Sequence, residues 1–379
     1  MFVALACVAS ETRAQSPTSG SMIVFDAHQD CLLRILDKDH DLGSTYGKEQ
    51  GNIDMWKKGG FNAIFFSVWV DPRAYAGEEA VTRAHRLIEA FRAQTQKHAD
   101  VLQPCDTAID VRNAIGRGKI ACLLGLEGGV AINDDLRMIP RYRQLGVRYM
   151  TLTWRGNLAW AGSSQSDDPQ KGLTDFGRQV VRELNNVGIV VDLSHVSDRT
   201  FYDALQTTTK PVIVSHSNAR LLSASPRNVT DDMLRALAKN GGVIGVNFSG
   251  DFLRTRADGI RELRPGPPDI KTVADQIDHI CEVAGIEHVG FGTDYDGGIR
   301  PARGLENAAL LPALLSELHD RGYSTDGIRL ICGENFARVL QANDAAPTSQ
   351  RPAGGQQLQR NPPTLLKTSS GEKTSPPRL

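Results

Sequence analysis

The sequence has little of what marks a zinc finger, a disulfide scaffold or a membrane-spanning protein. Its six cysteines are scattered over 379 residues and form no C-x-x-C pair, so neither a zinc finger nor a dense disulfide framework is indicated. No run approaches the roughly 20 apolar residues that a membrane-spanning helix needs. The formal net charge of -1 gives no electrostatic reason to expect binding to nucleic acid or to an anionic membrane.

Both ends of the chain look peripheral. Residues 2–9 form a short apolar run before a polar segment, which resembles the end of a secretory signal cleaved near Ala14 but lacks a basic n-region. Export to the periplasm or beyond and a cytoplasmic location therefore both stay open. From Ala342 the chain is rich in Pro, Ser, Gly and Gln, a composition that predicts a disordered tail. We expect a partial signal or disordered N-terminus over 1–21, one folded domain over 22–341 and a disordered tail over 342–379.

Between these ends, apolar runs rich in β-branched residues alternate with amphipathic helical patterns. Helices are predicted at 79–98, 174–187 and 230–240, with two further helices near 305–320 and 326–340. The helix at 230–240 has a start signal at Thr230 and a stop signal at Gly241. Eight alternations predict an α/β fold, a (β/α)8 TIM-type barrel with extra C-terminal helices. The eight strands are predicted at 22–28, 61–70, 119–127, 148–154, 188–195, 211–216, 242–248 and 288–294.

Potential metal ligands lie at or just past the ends of four of these strands. Strand ends converge on one face of a parallel barrel, where active sites are built, so residues far apart in sequence should meet there. Three imidazoles and two carboxylates suit a hydrolytic zinc site better than a structural one, which is usually rich in cysteine. The six remaining histidines fall on helices, in loops or at the start of a strand, and we expect surface or packing roles for them. The five predicted ligands are His28, Asp30, Glu127, His195 and His216.

An ordered series of motifs resembles the membrane (renal) dipeptidase family, peptidase family M19, a branch of the amidohydrolase-type barrels and here of bacterial type. The resemblance covers about residues 22–341. The segments that carry it are FDAHQD, GGFNAIFFSVWV, LLGLEGG, VDLSHVS, VSHSNAR, PRNVTDDML, VGFGTDYDGG and ENFARVL.

The resemblance implies two zinc ions per chain, bridged by Glu127 and a hydroxide. His28 and Asp30 would bind one ion, and His195 and His216 the other. In such two-metal sites the two ions are about 3.5–4 Å apart. The water that they share becomes the nucleophile, and one ion polarises the scissile carbonyl.

A carboxylate at the end of the last strand is expected to move the proton. Asp294 would take it from the water and return it to the leaving amine. Asp296 is the competing candidate in the same GTDYDGG segment. We favour Asp294 because it ends the predicted strand, whereas Asp296 more plausibly shapes the following turn.

Substrate contacts are expected from a basic residue and from the end of strand 4. Arg227, in SPRNVTDD, matches the family arginine that grips the free carboxylate of a dipeptide; a surface salt bridge with Asp231 or Asp232 is the alternative. Trp154 occupies the position of a family histidine that binds substrate, although bacterial relatives also carry LTW there. It would donate one hydrogen bond or wall the pocket, with Asn157 and Arg155 as nearby polar groups.

The predicted function is hydrolysis of the amide bond of small dipeptides by a zinc metalloprotease. A metal-dependent amidase or lactonase acting on N-acyl amino acids is the alternative within enzymes. A non-catalytic metal-binding pseudoenzyme, in which Trp154 has displaced catalysis, is the alternative outside them. Other divalent metals also suit His and carboxylate ligands, and a homodimer is compatible with the sequence.

Overall fold

In this computed structural model the described residues are 22–253 and 266–344. The predicted signal segment at 1–21 and the predicted tail from 345 onward lie outside them. Nine parallel strands form one sheet. They are β1 Phe25–Gln29, β2 Ala63–Trp69, β3 Leu102–Pro104, β4 Ile120–Glu127, β5 Val147–Thr151, β6 Val190–Asp192, β7 Ile213–Ser217, β8 Val243–Val246 and β9 Val289–Phe291.

Eight of the nine strands close into a barrel. β1 pairs with both β2 and β9, and β2 pairs with β4, so the circle runs β1, β2, β4 and onward to β9. β3 lies outside this circle and pairs with the first half of β4, while β5 pairs with the second half. The predicted (β/α)8 barrel is therefore confirmed, with β3 as an addition.

Helices surround the barrel and begin at the signals that the sequence contains. Thr230 accepts a hydrogen bond from the backbone N–H of Met233 at 3.2 Å, and Gly241 ends the same helix in the left-handed conformation with φ 81°. The helices are α1 Cys31–Lys38, α2 Ile53–Gly59, α3 Gly77–Lys97, α4 Ala108–Gly116, α5 Met138–Leu145, α6 Asp175–Val187, α7 Asp198–Thr207, α8 Asp231–Asn240, α9 Gly250–Leu253, α10 Ile270–Ala284, α11 Leu311–Asp320, α12 Thr325–Arg329 and α13 Asn335–Asn343.

The extra C-terminal helices are also present. The predicted helix at 326–340 is α12 and α13, joined by a π-helical turn at Leu330–Glu334. Within the described ranges no helix is both long and apolar enough to span a lipid bilayer.

Several strands end earlier than predicted. β5, β6 and β9 end at Thr151, Asp192 and Phe291. Trp154, His195 and Asp294, which were predicted to end these strands, each lie three residues beyond. His195 and Asp294 have φ of 67° and 64°, and a residue in that region does not belong to a strand.

The interior of the barrel is filled from its N-terminal end by apolar side chains. Phe25 and Phe65 lie 5.5 Å apart between ring centroids, and Phe336 of α13 packs on Phe25 at 5.8 Å. α13 thus closes the floor of the barrel. The opposite end, where the strands finish, holds the polar residues.

Candidate metal centre

The five predicted ligands meet at the C-terminal end of the barrel. Each is buried, with at most 6% of its surface exposed. Three groups of side chains could each hold a cation, with ligand atoms within 4.8 Å of one another: His28 with Asp30 and Glu127, Glu127 with His195 and His216, and His28 with His216 and Asp294.

Glu127, the last residue of β4, lies between two sets of ligands. Its Oε2 is 3.3 Å from His28 Nε2, which is itself 3.3 Å from Asp30 Oδ2. Its Oε1 is 3.0 Å from His195 Nε2 and 3.7 Å from His216 Nε2. The two oxygens of one carboxylate therefore face two different sites, as a bridging ligand requires.

The imidazoles of His28 and His216 are oriented by hydrogen bonds on their outer nitrogens. His28 Nδ1 is 2.7 Å from the Tyr149 hydroxyl, and His216 Nδ1 is 2.7 Å from the Ser215 hydroxyl. Both rings consequently direct Nε2 into the centre, which is the arrangement found around protein metal ions.

Buried ligand atoms without hydrogen bonds indicate that a cation fits here. His28 Nε2 and Asp30 Oδ1 are buried without a hydrogen-bond partner, and buried polar atoms are rarely left so. The Nε2 atoms of His195 and His216 lie only 2.9 Å apart. Nitrogen lone pairs and carboxylates that converge in this way suit a divalent ion such as zinc.

Comparison with known proteins agrees with this geometry. Residues 13–352 match the model of the membrane dipeptidase family, peptidase family M19. The chain belongs to this family.

This chain is also similar in fold and sequence to solved structures. A metallopeptidase from Rhodobacter sphaeroides, liganded with a phosphinate mimic of the dipeptide L-Ala-D-Ala, is 28% identical with a TM-score of 0.75, covering 85% of this chain and 99% of that one. Dipeptidase AC, an M19 metallopeptidase, is 29% identical with a TM-score of 0.75, covering 85% and 98%. The probable dipeptidase PvdM from Pseudomonas aeruginosa, at 21% identity, TM-score 0.77 and coverage of 85% and 96%, shares the fold. The protein is a metal-dependent dipeptidase.

The charge states of three of the dipeptidase's predicted ligands suit metal binding. Burial, together with the Arg227 cation, lowers the pKa of His195 to about 3. Burial and the neighbouring His28 hold the pKa of His216 well below its ordinary value. Burial opposes ionisation of Glu127, but His28 and His195 outweigh it and hold the pKa of that carboxyl well below its usual range. Two neutral imidazoles and an ionised carboxylate are the forms that bind cations.

Asp294 and Asp296 have different surroundings. Asp294 Oδ2 accepts a hydrogen bond from the Asn247 amide at 2.9 Å, and burial raises the pKa of Asp294 to about 7. Asp296 accepts from the backbone N–H of Gln50 at 2.8 Å and from Arg34 Nε at 3.2 Å. Asp294 thus lies beside the predicted ligands, while Asp296 connects the loop after β9 to the loop before α2.

Arg227 is buried beside the centre, with 3% of its surface exposed. Its Nη2 donates to the His216 carbonyl and its Nη1 to the Ser217 hydroxyl, both at 3.1 Å. Its Nε is buried and has no hydrogen-bond partner among the residues that the structure describes. No salt bridge joins it to Asp231 or Asp232 in the described part of the chain; Asp231 instead pairs with His279 at 2.8 Å.

Trp154 and Asn157 belong to the long loop between β5 and α6. The Trp154 ring lies 6.2 Å from the His195 ring, and the hydroxyl of Ser163 donates to the carbonyls of both residues. Asn157 accepts from the Ser163 N–H at 2.7 Å and donates to the Asp168 carbonyl at 3.1 Å. The Asn157 amide is therefore engaged inside the loop that carries Trp154.

Residues that support the ligands were not identified from the sequence. Asp192, the last residue of β6, accepts hydrogen bonds from Ser215 Oγ at 2.7 Å and Ser215 N at 2.8 Å, behind His216. Asp26 accepts from Thr293 Oγ1 at 2.6 Å, just before Asp294. The available signal was an acidic residue inside an apolar strand, since a buried carboxylate needs hydrogen-bond donors.

Proposed function

We propose that the dipeptidase binds two zinc ions per chain and hydrolyses small dipeptides between them. His28 and Asp30 bind one ion, His195 and His216 bind the other, and Glu127 bridges the two. The observation that carries the proposal is the position of Glu127, whose Oε2 and Oε1 face two separate sets of ligands at 3.3 Å and 3.0 Å.

The remaining chemistry comes from residues of the chain. When bound, the metal would supply polarisation of the scissile carbonyl and a water of lowered pKa as the nucleophile. Asp294, held by Asn247, accepts the proton of this water and returns it to the leaving amine.

Arg227 provides the selectivity for dipeptides. A guanidinium forms parallel hydrogen bonds with a carboxylate, and here the cation is buried with its Nε unpartnered. A free carboxylate one residue beyond the scissile bond would fill this position, which excludes longer peptides. Trp154 lines the pocket beside His195, and Asn157 holds the Trp154 loop.

The test is metal content and hydrolysis on one purified sample. The substrates are L-Ala-L-Ala, L-Ala-D-Ala, L-Ala-L-Ala-L-Ala and N-acetyl-L-alanine; the L,D compound is included because the Rhodobacter sphaeroides relative holds a mimic of it. We expect about two zinc ions per chain and cleavage of dipeptides only, lost on chelation and restored by zinc.

Other outcomes of this test would favour the two alternative functions. Cleavage of N-acetyl-L-alanine alone would indicate the N-acyl amino acid hydrolase, and metal without turnover would indicate the pseudoenzyme. One metal ion per chain would contradict the bridging role of Glu127. The homodimer stays a prediction that the mass in solution tests.

A further inference from the structure

Two tryptophans and two arginines lie together at the entrance of the metal centre, which we call the mouth: Trp69, Trp154, Arg73 and Arg155. Of these, only Trp154 has a role in the proposed function. Trp69 ends β2 and pairs in register with Glu127 of β4. Ser67, two residues earlier on the same face of β2, donates to Glu127 Oε2 at 3.0 Å, and side chains two apart in a strand share a face. The Trp69 ring therefore lies on the Glu127 side of the barrel.

Trp69 and Trp154 form an aromatic wall. Their ring centroids are 4.8 Å apart at an interplanar angle of 67°. The Trp69 Nε1 atom is buried and finds no hydrogen-bond partner within the described ranges. Such a donor favours a polar ligand group against the wall, because an unpartnered buried N–H is costly.

Two arginines lie over the Trp154 ring of this wall. The guanidinium carbons of Arg73 and Arg155 lie 5.5 Å and 5.0 Å from the Trp154 ring centroid, within the range of cation–π attraction. Arg73 is neutralised by two hydrogen bonds to Asp71 at 2.9 Å and 2.8 Å. Arg155 has no salt bridge within residues 22–253 and 266–344, so it is the unpaired cation of the pair.

The mouth thus has two cations without a carboxylate salt bridge among the described residues, Arg227 and Arg155, on different loops. Arg227 follows β7 and lies against His216, whereas Arg155 follows β5 and lies against the wall beside Glu127. Arg155 is exposed to solvent, and its positive charge contributes to lowering the pKa of Arg227 and of Asp71.

We propose that Arg155 and the aromatic wall form the pocket for the N-terminal residue of the substrate, and that this pocket prefers an aspartyl or glutamyl side chain. The proposal rests on the proposed function, since Arg227 must hold the C-terminal carboxylate. With that carboxylate at Arg227 and the scissile carbonyl at Glu127, the N-terminal residue extends toward Trp69 and Trp154. Its methylene groups pack on the indoles and its carboxylate pairs with Arg155.

The experiment compares kcat/KM for L-Glu-L-Ala and its neutral isostere L-Gln-L-Ala, with L-Ala-L-Glu and L-Ala-L-Ala as references. We expect the unmodified enzyme to prefer L-Glu-L-Ala over L-Gln-L-Ala by about 2- to 5-fold, the scale of one exposed ion pair. Arg155→Met should bring this ratio to about 1, and Arg155→Glu should favour L-Lys-L-Ala instead. A ratio within one variant cancels any general loss of turnover.

Arg235→Met is the matched control, because Arg235 is an exposed arginine of α8 that pairs with Asp232 at 2.8 Å. It should keep the preference of the unmodified enzyme. An equal kcat/KM for L-Glu-L-Ala and L-Gln-L-Ala in the unmodified enzyme would contradict the proposed pocket. An unchanged ratio of these two values in Arg155→Met would contradict it as well. An equal loss on all substrates would assign Arg155 to the shared C-terminal carboxylate and also overturn it. Failure to cleave both L-Ala-L-Ala and L-Ala-D-Ala would instead refute the proposed function.

Discussion

Glu127 is the single residue on which the proposed centre depends most. Glu127→Gln replaces one oxygen by an amide nitrogen, which has no lone pair for a cation. Because Oε1 and Oε2 face different ligand sets, we expect the bound zinc to fall from about two to one or fewer per chain and activity to be lost. Elemental analysis after dialysis measures this, and an unchanged metal content would remove Glu127 from the bridging position.

Asp294 and Asp296 form a matched pair of carboxylates in one loop. Asp294→Asn keeps the shape of the side chain but cannot accept the proton, so kcat should fall by about 10² or more while zinc is retained. Asp296→Asn should mainly loosen the contact with Arg34 and Gln50 and lower the melting temperature. If Asp296→Asn loses kcat and Asp294→Asn does not, the proton-transfer role belongs to Asp296.

At this scale the sequence predicted which residues come together better than it predicted their backbone conformation. The histidines and carboxylates could be located because parallel strands deliver their ends to one face. The left-handed backbone at His195 and Asp294 could not be predicted, since neither residue type signals a positive φ as glycine does. The Tyr149 and Ser215 hydroxyls were missed because their role depends on distances across strands.

Among the elements, β4 and β5 are packed so closely that β4 requires a glycine where it faces Tyr149 of β5. A Cβ at Gly125 would lie 2.0 Å from Cζ of Tyr149, the residue whose hydroxyl orients His28. Gly125→Ala should therefore displace Tyr149 and weaken zinc binding by about 10- to 100-fold, the usual effect of losing a residue that orients a ligand. Titration with a competing chelator measures the affinity.

Two further variants separate the steric effect from the lost hydrogen bond. Tyr149→Phe removes only the hydroxyl and should weaken zinc binding in the same direction. Gly116→Ala adds a methyl group at the end of α4 where no atom lies within 4 Å, and it should leave zinc affinity unchanged. Normal affinity in both Gly125→Ala and Tyr149→Phe would show that His28 needs no such support.

The elements also show where the sequence patterns were insufficient. The long helices and the apolar strands were found because their periodicity extends over many residues. β3 was missed because it has three residues, ends in Pro104 and pairs only with β4. Such a short strand is formed by its neighbour rather than by its own pattern.

For the molecule as a whole, stability and activity reside at opposite ends of the barrel. Phe336 of α13 is 3% exposed and packs on Phe25 at the floor. Phe336→Ala should reduce the free energy of unfolding by about 3–5 kcal/mol without changing zinc content at low temperature. Thermal or chemical unfolding followed by circular dichroism measures the loss.

Ile109→Ala provides the control for this prediction. Ile109 is a large apolar residue of α4 with 61% of its surface exposed, so its truncation opens no cavity and should change stability by less than about 0.5 kcal/mol. A comparable loss in both variants would mean that α13 does not contribute the floor of the core.

The positive φ angles of His195 and Asp294 also affect which amino-acid replacements such a protein would accumulate during evolution. Both residues occupy a backbone region that costs about 1–3 kcal/mol for an ordinary side chain, beside a cluster of buried carboxylates. Lineages released from the demand for hydrolysis would gain stability by replacing either residue with Gly or Asn. Selection for thermal tolerance alone would replace these two residues, and their retention in a heat-adapted population would be a sign that hydrolysis is still under selection.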